Sequence, residues 1–308
     1  MSNDIETSHK FGAALAITSV AFWGLLPVVS KGLLDAVDAY TLNFYRFVVA
    51  TIMLGTYLSL KGVPPILAAL QPKHYGLMAS AVIGLLVNHV MFMDALQYIP
   101  AGTSQIIAQL GPITLLIVSV LFFREDFSLR QWGGTIVFIF GLCLFFNDRL
   151  VEIFSFASDY SFGIIYMTLA CLIWIFYGLA QKLLVGTVAP IFILLCCYFL
   201  GAIVLFPLAD IGVILQLNNT QLWLLAACTL TSLIAYICFG ESLVHWPASK
   251  SSALLAFIPI ATLVYENLFA IMLPRYISAD VLNVLSILGA LLVVVGCLVV
   301  TRPSKKPA

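Results

Sequence analysis

The amino-acid sequence carries one pattern of residues twice, once in each half of the chain. The matched positions are Trp23 and Trp174, Pro27 and Gly178, Lys31 and Lys182, Asp94 and Glu241, Pro100 and Pro247, Pro112 and Pro259, Gly134 and Gly289, and Gly141 and Gly296. If each half holds five membrane-spanning helices, an odd number, the second half enters the bilayer from the side opposite to the first. The repeat therefore predicts two halves of similar structure in reversed orientation.

Both halves consist mainly of apolar runs, and a helix needs about 20 apolar residues to cross the hydrocarbon layer. Turn or charge signals, such as Asp35, Asp38 and the Asn218-Asn219 pair, separate the runs. The predicted spans are 11–31, 40–60, 75–97, 103–123, 131–147, 161–182, 189–209, 221–243, 250–273 and 282–300. The sequence thus predicts an all-α integral membrane protein with ten transmembrane helices in two inverted five-helix repeats.

Lysine and arginine residues indicate how the spans are oriented, because cytoplasmic segments of membrane proteins are enriched in them. With the N-terminus inside, the cytoplasmic segments and helix ends hold Lys10, Lys61, Lys73, Arg124, Arg130, Lys182, Lys250, Arg302, Lys305 and Lys306. The outside then holds only Lys31, Arg149 and Arg275. We predict a cytoplasmic tail at 1–10, a first repeat at 11–147, a periplasmic connector at 148–160, a second repeat at 161–300 and a second cytoplasmic tail at 301–308.

Composition excludes several classes of protein. Apolar residues make up 62% of the chain and charged residues 9%, whereas soluble proteins carry about a quarter charged residues. A formal net charge of zero argues against a broad nucleic-acid-binding surface. The seven cysteines lie in apolar runs without the spacing of zinc ligands. Without a Walker motif, ATP-driven transport by this chain alone is not expected, and we expect neither a cofactor nor a metal.

Several residues of the first half together resemble a known family, and the resemblance extends over nearly the whole chain. They are Phe22-Trp23-Gly24, Pro27, Lys31, Arg46, the run from Ala95 to Ala101, Pro112, and Arg124-Glu125 before Gly134 and Gly141. This pattern resembles the drug/metabolite transporter superfamily and, within it, the EamA-type ten-helix exporters. The resemblance implies two EamA-like repeats around a cavity lined mainly by helices one, three, four, six, eight and nine. It also implies peripheral helices five and ten, and substrates that are often amino acids or related metabolites moving outward.

One position departs from the family pattern. Glu125 follows Pro112 by 13 residues in the first half, whereas Met272 occupies the corresponding place in the second. The second half has Glu266 instead, seven residues after Pro259 and inside a predicted span.

Helix-breaking residues at matched positions point to a transport site, because the backbone groups they free need a cavity or a protein partner. Pro27 and Gly178 occupy matched places in spans one and six, and Pro112 and Pro259 in spans four and nine. We interpret all four as hinges. Ordinary kinks are the alternative, since proline and glycine are common in membrane helices.

Polar and ionisable residues at membrane depth are the second pointer to a site. By the direction of each span, Arg46, Asn88, His89, Gln105, Gln109 and Glu266 all fall in the outer half of the bilayer. We hypothesise that Glu266 faces the cavity and pairs with Arg46 or with a substrate ammonium group. It could also carry protons, or form a static ion pair joining helices two and nine. His89 is a candidate proton relay or a hydrogen-bonded structural residue.

Aromatic residues lie inside the spans, away from the interfacial belt where tryptophan and tyrosine usually concentrate. They are Trp23, Trp174, Tyr177, Tyr236 and Tyr265. The repeat-matched tryptophans should flank the same cavity and could stack on an apolar or cationic substrate. Helix-packing bulk is the alternative for the tryptophans and the favoured interpretation for the tyrosines. Tyr177 and Tyr265 are kept as candidates beside that interpretation. The candidate substrate-binding residues are Trp23, Trp174, Tyr177, Tyr265, Asn88, Gln105, Gln109 and Glu266.

The sequence favours a secondary transporter of a small organic metabolite in a bacterial inner membrane, exporting amino acids or related compounds by alternating access. The alternative is proton-coupled uptake of a cationic or zwitterionic nutrient. An intramembrane enzyme or a channel is remote, because no nucleophile motif or continuous polar stripe is evident. The expected partners are the substrate, the lipid bilayer and, in the coupled version, protons. Substrate, direction, coupling ion and oligomeric state stay open.

Overall fold

The structure is a computed structural model that describes residues 2–62, 71–123, 128–184, 187–246, 254–279 and 281–301. Within these ranges the chain forms α-helices and short 3-10 segments and contains no strand. The helices are α1 (Ser2–Lys31), α2 (Ala39–Leu60), α3 (Tyr75–Tyr98), α4 (Ala101–Ala108), α5 (Leu110–Phe123), α6 (Leu129–Phe145), α7 (Leu150–Ser155), α8 (Asp159–Leu184), α9 (Pro190–Leu205), α10 (Asn219–His245), α11 (Ile258–Met272) and α12 (Val284–Thr301). The 3-10 segments are Pro72–His74, Phe206–Leu208 and Ile211–Gln216.

Several of these helices are suited to a bilayer by length and composition. Five described segments are long and apolar enough to cross it: Lys10–Lys31, Pro72–Tyr98, Asp159–Leu184, Pro190–Leu208 and Asn219–Phe239. The shorter apolar helices are Leu129–Phe145, Ile258–Met272 and Val284–Val300. The all-α membrane fold with two repeats is confirmed, and the count of ten spans stays a prediction.

The helices that were expected as spans four and nine are each interrupted. Span four consists of α4 and α5, with Gln109 between them. In span nine, residues 254–255 are helical, a turn follows at Ala256 and Phe257, and α11 begins at Ile258. Each interruption comes just before a proline, at Pro112 and Pro259. A proline ring has no N–H to donate and clashes with the carbonyl four residues earlier, so both helices break at equivalent places.

The packing of the helices repeats the symmetry of the sequence. Matching the halves pairs α1 with α8, α2 with α9, α3 with α10, α5 with α11 and α6 with α12, while α4 corresponds to the residues that precede α11. Extensive packing joins α1 to α10 and α3 to α8, and these two contacts are exchanged when the halves are swapped. The α2–α9 and α6–α12 contacts each map onto themselves. The two halves are therefore related by an approximate two-fold exchange, and they meet along the whole fold.

Helices α6 and α12 approach each other closely through the repeat-matched glycines. A Cβ atom added at Gly141 would lie 2.7 Å from the backbone nitrogen of Val293, and one at Gly296 would lie 2.5 Å from that of Phe138. Small residues of this kind let membrane helices touch backbone to backbone. Both helices also carry exposed apolar side chains, including Phe140 on α6 and Leu288 on α12, as expected for peripheral helices that face lipid.

Candidate functional site

A cavity of about 220 Å³ lies between the two halves of the molecule. Residues that the sequence proposed as site residues form much of its wall: Trp23, Arg46, Asn88, His89, Gln105, Gln109, Pro112 and Trp174. Both repeats contribute at equivalent positions, because Trp23 and Trp174 line it together. So do Ala108 and Leu255, the residues that precede the two helix interruptions. The cavity is thus centred on the pseudo-symmetric junction where transporters of this architecture bind substrate.

Aromatic rings form one part of the wall. The Trp23 ring meets the Tyr236 ring edge to face, with centroids 5.0 Å apart, and lies 5.5 Å from Phe239. Trp174 lies 6.2 Å from Tyr177. Tyr236 also lines the cavity, although the sequence favoured a packing role for it; its place inside a span was the signal that could have identified it. Edge-to-face contacts hold aromatic rings in fixed positions, so Trp23 presents a defined surface to the cavity.

Arg46 supplies the cationic part of the wall. Its side chain is only 2% exposed, and one terminal nitrogen donates a 2.7 Å hydrogen bond to Oδ1 of Asn43. Asn43 is itself held in place, because its Nδ2 donates to the backbone oxygens of Ala39 and His89 at 2.9 and 3.0 Å. The amide therefore has a fixed orientation, and it positions the guanidinium group at the cavity.

The remaining polar residues of the wall make structural hydrogen bonds. Asn88 donates to the backbone oxygen of Ala170 at 2.9 Å and so joins α3 to α8. Nδ1 of His89 lies 2.9 Å from the backbone oxygen of Leu85. Because a carbonyl oxygen can only accept, Nδ1 carries the hydrogen of this bond. Oε1 of Gln109 accepts from Sγ of Cys297 at 3.2 Å. Gln105 also lines the cavity and is largely buried.

Glu266 differs from expectation, because it is not among the cavity-lining residues that the structure describes. Its two carboxylate oxygens accept hydrogen bonds from the backbone nitrogens of Ala101, at 3.0 Å, and Gly102, at 2.9 Å. These are the first two amides of α4, which have no partner within the helix. The start of a helix also attracts negative charge. The carboxylate therefore caps α4 from α11, and its part in substrate binding or proton coupling stays a prediction.

Two charged side chains stabilise the corner between α3 and α4. Nζ of Lys31 donates to the backbone oxygens of Leu96 and Ile99 at 2.6 and 3.0 Å, at the end of α3 where free carbonyls attract a cation. Glu266 caps the next helix from the other side. A Cβ added at Gly102 would lie 2.6 Å from Oε2 of Glu266, so a larger residue there would displace the carboxylate.

Other proposed site residues lie outside the cavity wall. Tyr177 is buried in α8 beside Trp174, and Tyr265 packs against Val28, Ala101 and Ile277. Both make packing contacts in the structure, and their part in substrate binding stays a prediction.

Helix α1 runs without interruption through Pro27, and α8 runs without interruption through Gly178. The hinges expected there are not visible as helix breaks, in contrast to those before Pro112 and Pro259. Pro259 is buried at the start of α11, and Pro112 lines the cavity.

Within the described residues, no group of three or more His, Cys, Asp or Glu side chains could hold a metal ion. The chemistry that this wall offers is noncovalent: aromatic surface, amide groups, one imidazole and one guanidinium.

Comparison with known proteins relates the whole chain to a family of transporters. Residues 10–147 and 161–302 each match the family model described as the EamA-like transporter family. The chain is 38% identical, over 93% of its length, to the inner membrane transporter YhbE of Escherichia coli K12, of which it covers 90%. It is 34% identical to a transporter of Haemophilus influenzae, over 93% of each protein. One crystal structure of a protein only 16% identical shares the fold, with a TM-score of 0.63 over 94% of this chain and 96% of that one.

Proposed function

Because this chain belongs to the EamA-like transporter family, we propose that it is a secondary transporter that moves a small organic metabolite across the inner membrane by alternating access. The favoured activity is export of amino acids or related compounds. The observation that carries the proposal is the cavity between the halves, to which Trp23 and Trp174 contribute from equivalent positions. A carrier needs one site that each half can in turn expose to its own side of the membrane.

The two interrupted helices are the points at which we propose that the molecule changes shape. Residues on both sides of each interruption line the cavity: Ala108 and Gly111 around Gln109, and Leu255 and Ile258 around the second break. A rearrangement there alters the cavity wall directly. The repeats, 11–147 and 161–300, would move against each other around the connector at 148–160. Both chain ends would be cytoplasmic, which reporter fusions at each end can check.

We expect the tryptophans of the cavity to be required for transport. Purified protein in liposomes, assayed with radiolabelled amino acids, should show saturable flux that substrate on the opposite side accelerates. Trp23→Ala and Trp174→Ala should each reduce flux at low substrate concentration by about fivefold, since a lost aromatic contact removes on the order of 1 kcal/mol of binding. Trp223→Ala is the matched control, because Trp223 is 76% exposed on α10, and it should leave flux unchanged. Equal loss in all three variants, or flux that does not saturate, would contradict the proposal.

The interruption before Pro112 should matter for turnover more than for stability. Pro112→Ala restores an N–H that can bond to the carbonyl of Ala108 and lets α4 and α5 join. We expect thermal stability in detergent to be unchanged or raised by up to about 3 kcal/mol, the cost of an internal proline, while the maximal rate falls severalfold. A variant that transports at the normal rate would show that the break is not a moving part.

The alternative, proton-coupled uptake of a cationic or zwitterionic nutrient, loses support from the geometry. It was motivated by Glu266 within a span and by the tryptophan pair, and the carboxylate of Glu266 binds the start of α4. The cationic Arg46 in the wall also opposes a cationic substrate. Flux measured with and without a pH gradient separates the alternatives, because coupled uptake should collapse when the gradient is removed.

A further inference from the structure

Arg46 is a buried charge whose hydrogen-bonding capacity is largely unused. Guanidinium carries five N–H donors, yet the one protein partner of Arg46 within the described residues is Oδ1 of Asn43. Its Nε is buried there without any partner. An unpaired cation at membrane depth is costly, and such residues usually mark a substrate or ion pathway.

The described part of the cavity wall offers Arg46 no compensating negative charge. The described residues that line the cavity include neither aspartate nor glutamate. Glu266, the partner expected from the sequence, accepts hydrogen bonds from two amides of α4 instead. Asn43 orients the guanidinium group but cannot neutralise it. The protein alone therefore leaves the positive charge of Arg46 uncompensated, and an anion that enters the cavity would compensate it.

We propose that Arg46 binds a carboxylate group of the transported substrate, while Trp23 and Trp174 contact its organic part. This inference rests on the proposed function and defines its substrate class. Arginine favours carboxylates because its planar fork can form two parallel charge-assisted hydrogen bonds. One guanidinium matches the single charge of a carboxylate, whereas a phosphate monoester carries close to two charges. The aromatic surface beside Arg46 selects for an organic anion over an inorganic one.

The chemistry of the substrate tests the inference without any change to the protein. Four compounds derived from each amino acid should be compared for binding to the purified full chain: the free acid, its amide, its decarboxylated amine and its 2-oxo acid. The readouts are the ligand-induced thermal shift and counterflow in liposomes. Acids, with or without the amino group, should bind, and amides and amines should bind at least about tenfold more weakly, the size of a lost hydrogen bond to a charged group. Amides or amines that bind as well as the acids would overturn the inference while leaving the transporter proposal intact.

Variants of Arg46 provide the second test of the inference. Arg46→Gln should abolish the preference for acids over amides, and Arg46→Lys should retain part of it, since lysine keeps the charge without the fork. Arg275→Gln is the matched control: Arg275 is exposed beyond the end of α11, and the preference should persist. If Arg46→Gln does not fold, the preference for acids over amides is compared between the wild type and Arg46→Lys. The inference expects a smaller preference in Arg46→Lys. An unchanged preference in Arg46→Gln overturns the inference. Wild-type protein that moves no member of the panel overturns both proposals.

Discussion

Replacing Glu266 with glutamine is expected to destabilise the protein by about 3 kcal/mol, because it removes a charged acceptor from two buried amides. In the wild type, both carboxylate oxygens accept from backbone N–H groups, those of Ala101 and Gly102. A glutamine side chain has one acceptor oxygen and turns an NH₂ group toward the other amide. One N–H is then left unsatisfied in a site that is almost fully buried. Unfolding of the purified protein, followed by circular dichroism in a titration with denaturing detergent, measures the change.

Glu241 offers the matched control, because it also lies in a helix of the second half but its side chain is 54% exposed. Its contact with His245, at 3.3 Å, is a partly solvated ion pair when the histidine is protonated, and such pairs contribute at most about 1 kcal/mol. Glu241→Gln should therefore unfold close to the wild type. Normal stability of Glu266→Gln, together with an altered pH dependence of transport, would identify the carboxylate as a proton carrier and refute its role as a helix cap.

Glu266 shows that the sequence predicts how deeply a residue is buried better than it predicts which groups contact that residue. Its position within a span indicated a buried carboxylate, and that was correct. Which partner it meets depends on how α11 is rotated and on where α4 begins, and neither can be deduced from one helix alone. The unpaired amides of α4 are backbone groups, so no residue type in the sequence marked them as competitors of Arg46. The sequence therefore showed a buried charge and gave no sign of the helix cap that it forms.

The cavity residues were predictable for a different reason. Trp23 and Trp174 are repeat-matched, so symmetry placed them at the junction of the halves independently of helix rotation. The prolines illustrate the limit of the same argument. Pro27 and Pro112 carry the same local penalty, yet α1 continues through Pro27 while the helix before Pro112 breaks. Helix α1 packs along both α10 and α11, and these tertiary contacts decide whether a proline kinks a helix or ends it.

Enlarging the glycines between α6 and α12 should have the other large effect on stability. A Cβ at Gly141 would meet only backbone atoms, the nitrogen of Val293 at 2.7 Å and the oxygen of Gly289 at 3.0 Å. A flexible side chain could turn away from the intruding atom, whereas helix backbone cannot, so the two helices must separate. We expect Gly141→Leu to lower the free energy of unfolding by about 3 kcal/mol or more. The yield of folded protein in gel filtration and its thermal unfolding measure this loss.

The repeat and the neighbouring glycine make this prediction specific. Gly296, the second-half residue matched to Gly141, faces the backbone of Phe138 in the same way, so Gly296→Leu should be destabilising to a similar degree. Gly133 lies on α6 with nothing within 4 Å of an added Cβ. Gly133→Ala should therefore be neutral or stabilising by up to about 1 kcal/mol, the difference in helix propensity. If Gly141→Leu and Gly133→Ala unfolded alike, α6 and α12 would not touch backbone to backbone, and the close contact that joins the ends of the two halves would be refuted.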